Sequence, residues 1–378
     1  MIIHITCPKG ISDVLAREVA ALGLPVHSIL PAGVVTEGDL ADCIRCNLWL
    51  RTAHRVLLRL HSFTAETPQE MYEGVTTIPW EAWIPRDGYL SVISSIDTPS
   101  IDNTQFANVR CKDAIVDRMR AIHGVRPNSG SRTDSSVVFL YWHGSNVSVA
   151  IDTSGTSLSD RGYRLQGGKA PLRESLAAAI MLSTTWEQGQ AMVNPMGGSG
   201  TLAIEAALME RNIAPGLLRP NFGFMHLVPY DAAVLKRLRD EARAAQRAAS
   251  AALVCTDHDR RIVDAARENA RRAGVLDSIR FGVCDFRNTP VPPPPGVVVF
   301  NPEYGLRLGD ITALRETYRA IGDFMKQSCR GYTGYVFTGN MDLTKEVGLR
   351  ASRRIPFWNA DVECRLLQFE LYEGSKKG

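Results

Sequence analysis

AMVNPMGGSGTLAIEAAL, residues 191–208, is the stretch on which the fold turns. A short apolar run stops at Asn194-Pro195. Gly197, Gly198 and Gly200 follow, and an apolar helical pattern opens directly behind them. Strand, tight turn and helix in that order make half of a β-α-β unit. The glycines let the backbone bend sharply and approach a ligand closely. The helix start beyond them offers unpaired N–H groups and the positive end of a dipole. No Lys follows the last glycine, so this is not a triphosphate-binding loop. Taken alone, the turn also fits a plain strand-to-helix connection.

Downstream the pattern repeats. AALVCTD (251–257) precedes a helix from Arg260, and IRFGVCD (279–285) is a third strand. VVVFNP (297–302) precedes a helix from Asp310, and GYVFTGN (334–340) a short one. SRRIPFWNADVECRLLQFELY (352–372) reads as two strands around Asn359-Ala360-Asp361. The expected architecture is α/β: an open, mostly parallel sheet with helices on both faces and an antiparallel C-terminal hairpin. Asn212–Ala252 reads as an insertion with its own helix, and Ala242–Ala252 within it as Ala-rich helix.

Three strand ends carry chemistry. Asp257 stands where an acid accepts hydrogen bonds from ribose hydroxyls in dinucleotide folds, normally roughly 20 residues past the glycines. Here it follows Gly200 by 57 residues, the insertion accounting for the delay. Asp285 can accept a bond from an adenine amine; each Asp also fits a helix cap. Asn301-Pro302-Glu303-Tyr304 ends the fourth strand, where open α/β sheets bind ligands. The Asn301 side-chain oxygen and the Pro302 carbonyl can each accept one N–H of an exocyclic amine, and Tyr304 can stack on the base. No metal is needed: catalysis would rest on positioning an amine in line with a methyl-sulfonium. An Asn-Pro turn with no ligand is the plainer alternative.

The first 150 residues look different. A strand (Ile2–Thr6), a helix (Ser12–Leu22) and short strands to Val35 lead to mixed elements and a helix over Asn103–His123, with Phe106, Val109, Ala114, Ile115 and Met119 toward a core. A β-hairpin turns at Gly144-Ser145-Asn146. These read as α+β, built from small mixed sheets. At 378 residues and 45% apolar composition, the chain supports two or three domains with real cores. It has no apolar run of membrane-spanning length and no leader pattern at its start, so no membrane and a cytoplasmic location are expected. Oligomeric state leaves no mark in the sequence.

The net charge of +3 is too small to argue for a nucleic-acid partner; local patches must carry that case. The best is the Gly/Ser-rich connector TSGTSLSDRGYRLQGGKAP (153–171), whose Arg161, Tyr163, Arg164 and Lys169 would face RNA phosphates unless they are solvated linker charges. Arg110, Lys112, Arg118 and Arg120 fit an ordinary helix surface paired with Asp113 and Asp117. Cys43 and Cys46 have metal-ligand spacing but no second pair, so reduced thiols and no metal are expected.

NPMGGSGT, TDHD with AARENARRAGV, VCDF and NPEYG together resemble the S-adenosylmethionine-dependent methyltransferases that modify exocyclic amines. NLWLRTAHRVLLRL (47–60), SIDNTQFANVRCKDAIVDRM (100–119), AIDTSGTSLSDRGYRLQGGKAPLRESLAAAIM (150–181) and WNADVECRLLQFEL (358–371) resemble the THUMP-containing RNA methyltransferases, so the likeness covers nearly the whole chain. It implies a ferredoxin-like domain over 1–55, a THUMP domain over 56–155 and a Rossmann-like methyltransferase domain over 156–378. It also implies methylation of the 2-amino group of guanine in structured RNA, large-subunit ribosomal RNA or tRNA. By position, Asn194, Pro195, Gly197, Gly198, Gly200 and Thr201 would cradle S-adenosylmethionine. Asp257 would take its ribose and Asp285 its adenine, while Asn301, Pro302 and Tyr304 hold the target base. The chain departs from the family twice: Asn194 replaces an acid, and Glu303 replaces a second proline while leaving the Pro302 carbonyl in place. Two rival readings follow, an adenine methyltransferase acting on DNA and a non-catalytic RNA-binding assembly protein with a decayed methyltransferase domain.

Overall fold

The computed structural model of the chain describes residues 1–164, 172–304 and 311–372. They form two compact units. The first takes Met1–Cys7, Leu15–Leu158 and Arg219–Ala242; the second takes Pro8–Val14, Ser159–Leu218 and the chain from Arg243 onward.

In the first unit the strands are β1 (Ile2–Thr6), β2 (Ser28–Leu30), β3 (Gly33–Glu37), β4 (Arg55–Thr64), β5 (Tyr89–Asp97), β6 (Asn128–Ser129), β7 (Ser136–His143) and β8 (Asn146–Asp152). They lie in one sheet ordered β2-β3-β1-β4-β8-β7-β5-β6, not in separate small sheets as expected. The join is β4: its start pairs with β1, while Leu57–Thr64 pairs with β8. A strand of ten residues is long enough to serve both neighbours. The helix Thr104–His123 is capped by the Asn103 side chain and ended by Gly124 at φ 69°. Its buried stripe is Ala107, Cys111, Ala114, Ile115 and Met119. Phe106 and Val109, expected in the core, fall off that stripe and are exposed. Residues 219–242 of the expected insertion return to this unit, where the Phe224 N–H donates to the Thr153 carbonyl at 2.9 Å.

The second unit holds β9 (Ala191–Pro195), β10 (Leu253–Asp257), β11 (Ile279–Val283), β12 (Gly296–Phe300), β13 (Tyr332–Thr338), β14 (Arg353–Asn359) and β15 (Val362–Glu370). Their order is β11-β10-β9-β12-β13-β15-β14. The first five are parallel, and β15 runs antiparallel to both β13 and β14. The chain moves outward from β9 to β10 and β11, then returns to β12 on the other side of β9. That reversal opens a crevice at the carboxyl ends of β9 and β12, where such sheets bind ligands. Val297–Phe300 of β12 are fully buried, and Val298 and Phe300 pack with Tyr318, Ile321, Phe324 and Met325 of the helix Ile311–Ser328. The Ala-rich stretch is helical only to Ala244. Beyond it, the Ser250 and Ala251 N–H groups and the Ser250 hydroxyl all donate to the buried Glu210 carboxylate, at 2.8–3.0 Å. Those charge-assisted bonds outweigh the helix preference of alanine.

Candidate functional site

The glycine loop is shaped by what surrounds it. Gly198 and Gly200 have φ of 56° and 79°, a region that favours glycine. A Cβ at Gly197 would lie 2.3 Å from the Cys255 sulfur, whereas one at Gly198 would meet nothing within 4 Å. Gly197 is thus pressed against β10, and Gly198 faces open space. The Gly197 N–H donates to the Thr256 carbonyl at 2.8 Å, and the Gly198 N–H to Asp257 Oδ2 at 3.0 Å. The helix Thr201–Glu210 starts at Gly200 without a side-chain cap, so its first N–H groups face the crevice end of the sheet uncapped.

Asp257 is buried at the end of β10. Besides Gly198 it takes the Asp259 N–H on Oδ1 at 3.2 Å. It holds the loop shut and retains lone pairs for a further donor. Asp285 is more exposed and is engaged by Arg287, whose Nε and Nη2 donate at 2.8 and 2.6 Å. The Arg287 guanidinium holds that carboxyl at about 2, so it is ionised throughout the physiological range. Phe286, next in sequence, packs edge-on against Phe300 and Phe324.

Arg161 and Tyr163 of the connector are not part of the RNA-facing patch expected of them. Arg161 and Tyr163 are each only 1% exposed. The Tyr163 hydroxyl donates to Glu205 at 3.2 Å, and Arg161 pairs with the same carboxylate at 3.6 Å. Buried side chains cannot reach phosphates in solution. Arg164 donates to Glu174 at 3.0 Å, to the Leu172 carbonyl at 2.9 Å and to Thr201 Oγ1 at 3.1 Å. Its guanidinium therefore braces the loop-helix junction. Lys169 lies outside the described residues. On the Thr104–His123 helix, Lys112 pairs with Asp113 as expected, but Arg118 pairs with Glu81.

At the end of β9 the buried Asn194 donates through Nδ2 to the Val299 carbonyl of β12 at 2.9 Å. An ionised carboxylate could not make that bond, which gives the amide at this position a physical reason. Asn194 Oδ1 is buried with no partner, and so is Asn301 Oδ1 at the end of β12. Two buried acceptors left without donors cost roughly 1–3 kcal/mol each, and both sit at the switch point. Pro302 is buried and Glu303 exposed. The Tyr304 hydroxyl accepts from Asn359 Nδ2 at 2.9 Å, and its carbonyl from Asn340 Nδ2 at 3.3 Å. Asn340 and Asn359 escaped the sequence reading; the only hint was that each is an amide at the end of a strand.

Among the described residues, no group of three or more His, Cys, Asp or Glu is placed to hold a metal ion. Cys43 and Cys46 are buried, and burial pushes the Cys46 thiol up to about 12. No helix among the described residues is long and apolar enough to cross a membrane.

Three family profiles match the chain: the RlmL ferredoxin-like domain over residues 3–57, the THUMP domain over 65–152, and the RMKL-like methyltransferase domain over 161–368. The last alone covers more than half of the sequence. This chain belongs to the RMKL-like methyltransferase family. A ribosomal RNA large subunit methyltransferase K/L of Syntrophotalea carbinolica is 40% identical over 379 residues, covering 97% of this chain and 53% of the relative. The chain spans about half the length of the curated relatives it matches. Among solved structures, SMU.472 in complex with SAH superposes with a TM-score of 0.90 at 28% identity, covering 99% of both chains. A Listeria monocytogenes chain, described by prediction as an N6-adenine-specific DNA methylase, gives 0.87 at 31% identity and covers 99% and 96%.

Proposed function

We propose that this chain transfers a methyl group from S-adenosylmethionine to the exocyclic 2-amino group of a guanine in large-subunit ribosomal RNA. The observation that carries this reading is the buried, unpartnered Asn301 Oδ1 at the end of β12, beside a glycine cradle across the switch point. The cradle fits the cofactor: Gly198 is open to a ligand, the helix start at Thr201 is uncapped, and Asn194 Oδ1 has an acceptor to spare. When bound, S-adenosylmethionine supplies an electrophilic methyl on a sulfonium. The chain supplies position. Asn301 Oδ1 and the Pro302 carbonyl accept the two amine N–H groups, and the Tyr304 ring lies against the base. Asp257 takes ribose hydroxyls, and Asp285 with Phe286 flanks the adenine. The names of the relatives favour ribosomal over transfer RNA. We further propose the division 1–55, 56–155 and 156–378, with recruitment of RNA by the first two domains, and work in the cytoplasm, where ribosomal RNA is modified.

The test is transfer of labelled methyl to unmodified ribosomal RNA, unmodified tRNA and duplex DNA side by side. Label recovered as 2-methylguanosine in ribosomal RNA supports the proposal. Label in DNA alone would give the reaction to adenine instead, and label nowhere, with RNA still bound, would leave a non-catalytic RNA-binding protein.

Arg164 supplies a separate check. Arg164→Gln is expected to weaken binding of SAH roughly fivefold, the worth of one or two hydrogen bonds. The slope of RNA affinity against salt should not move, because a residue bracing the loop neutralises no phosphate. Calorimetry and a salt series on the same preparations measure both; a shallower salt slope would return Arg164 to the RNA interface.

A further inference from the structure

The C-terminal hairpin β14–β15 closes on the residue proposed to stack on the base. Asn359 is the last residue of β14, and its Nδ2 donates to the Tyr304 hydroxyl at 2.9 Å. The buried Cys364 of β15 lies near the same hydroxyl, and its thiol donates to the Val362 carbonyl at 3.6 Å. The partner of the phenol and this neighbour thus come from one hairpin. The Tyr304 backbone is held as well. Asn340 Nδ2 donates to its carbonyl, while Asn340 Oδ1 takes the Asp342 and Leu343 N–H groups at 3.1 and 3.3 Å. A Cβ at Gly339 would lie 3.1 Å from Tyr304 Cδ2, so the ring also rests against bare backbone. The hairpin turn is tight: Ala360 has φ 51°, a conformation that a residue with a Cβ adopts only when its surroundings impose it.

We infer that Asn359 is a positioning residue for the methyl-transfer step, fixing the Tyr304 ring as a stacking face for a planar base by occupying its hydroxyl. The inference rests on the proposed function of the same site. The Asn359 amide holds the Tyr304 hydroxyl through its oxygen and so fixes the ring. The face of that ring is what Tyr304 presents to a base, and its precision depends on β14. A pinned aromatic loses little entropy when the base arrives, so the hairpin acts on the bound complex and not on cofactor affinity.

The test compares Tyr304→Phe, Asn359→Leu, their double variant and Asn359→Asp in the full chain. Each of the first two should lower kcat for RNA methylation roughly three- to tenfold, the worth of one hydrogen bond. The double variant should be no worse than either single one, because both remove the same bond. Asn359→Asp should recover most of the loss, since the phenol can then donate to the carboxylate. SAH affinity by calorimetry should match wild type in all four. Additive losses, or failure of Asn359→Asp to recover, would overturn the inference. Absence of SAH binding in the wild type would instead overturn the proposed function beneath it.

Discussion

Asn301→Ala is expected to lower the rate of methyl transfer roughly a hundred- to a thousandfold, the usual cost of losing one preorganised polar contact at a reacting centre. Stability should hold or rise slightly. The side-chain oxygen is buried without a donor, so its removal takes away an unsatisfied acceptor and breaks no bond to it. Affinity for SAH should stay within about twofold, because Asn301 holds no part of the glycine loop and the two sites add independently. Loss of catalysis, unchanged melting temperature and intact cofactor binding form a combination that a merely structural residue does not give. Single-turnover transfer, differential scanning calorimetry and SAH titration measure the three. A variant retaining more than about a tenth of wild-type turnover would mean that another group holds the amine.

Asp257→Ala is expected to act on the opposite side of the switch point. Its carboxylate accepts the Gly198 N–H at 3.0 Å and the Asp259 N–H at 3.2 Å from a buried position. Alanine leaves both donors unpaired, frees the loop and removes the proposed ribose acceptor. Two charge-assisted bonds of about 1.5–3 kcal/mol each put the loss of SAH affinity at roughly a hundredfold or more. Asp257→Asn should fall between: its amide oxygen still accepts from Gly198, but its NH2 group faces the remaining donors. Calorimetric titration of SAH ranks the three proteins. Equal affinity for the Asn variant and wild type would confine Asp257 to shaping the loop and remove it from the ribose.

The methyltransferase sheet was legible because buried parallel strands carry unbroken apolar runs, as in Val297–Phe300, and because each run ends on a residue such as Asn194, Asp257 or Asn301 that cannot continue it. The glycine loop was legible because the angles at Gly198 and Gly200 favour glycine. What stayed hidden depends on distant partners. Arg161 and Tyr163 sit in a stretch rich in Gly and Ser that looks solvated, yet the carboxylate that takes the Tyr163 hydroxyl lies 42 residues on, at Glu205. Asn340 and Asn359 look like ordinary turn residues until β13 and β14 are seen beside Tyr304. Phe106 and Val109 were misplaced by counting apolar residues along a helix whose buried stripe runs through smaller ones, Ala107, Cys111 and Ala114.

The bond from Asn194 to the Val299 carbonyl joins residues 105 positions apart. During synthesis at about 5–20 residues per second, β9 and its glycine loop leave the ribosome roughly 5–20 seconds before the strand that completes them. In the later part of that interval, once Leu253–Asp257 has been made, β9 has β10 as a neighbour but a bare edge where β12 belongs. Asn194 carries an unpaired donor at that edge until Val299 arrives. The strand that leads into Asn301 is therefore also the one that covers this edge, so a nascent chain cannot pair β9 in its native way without bringing into place the residue proposed to hold the amine.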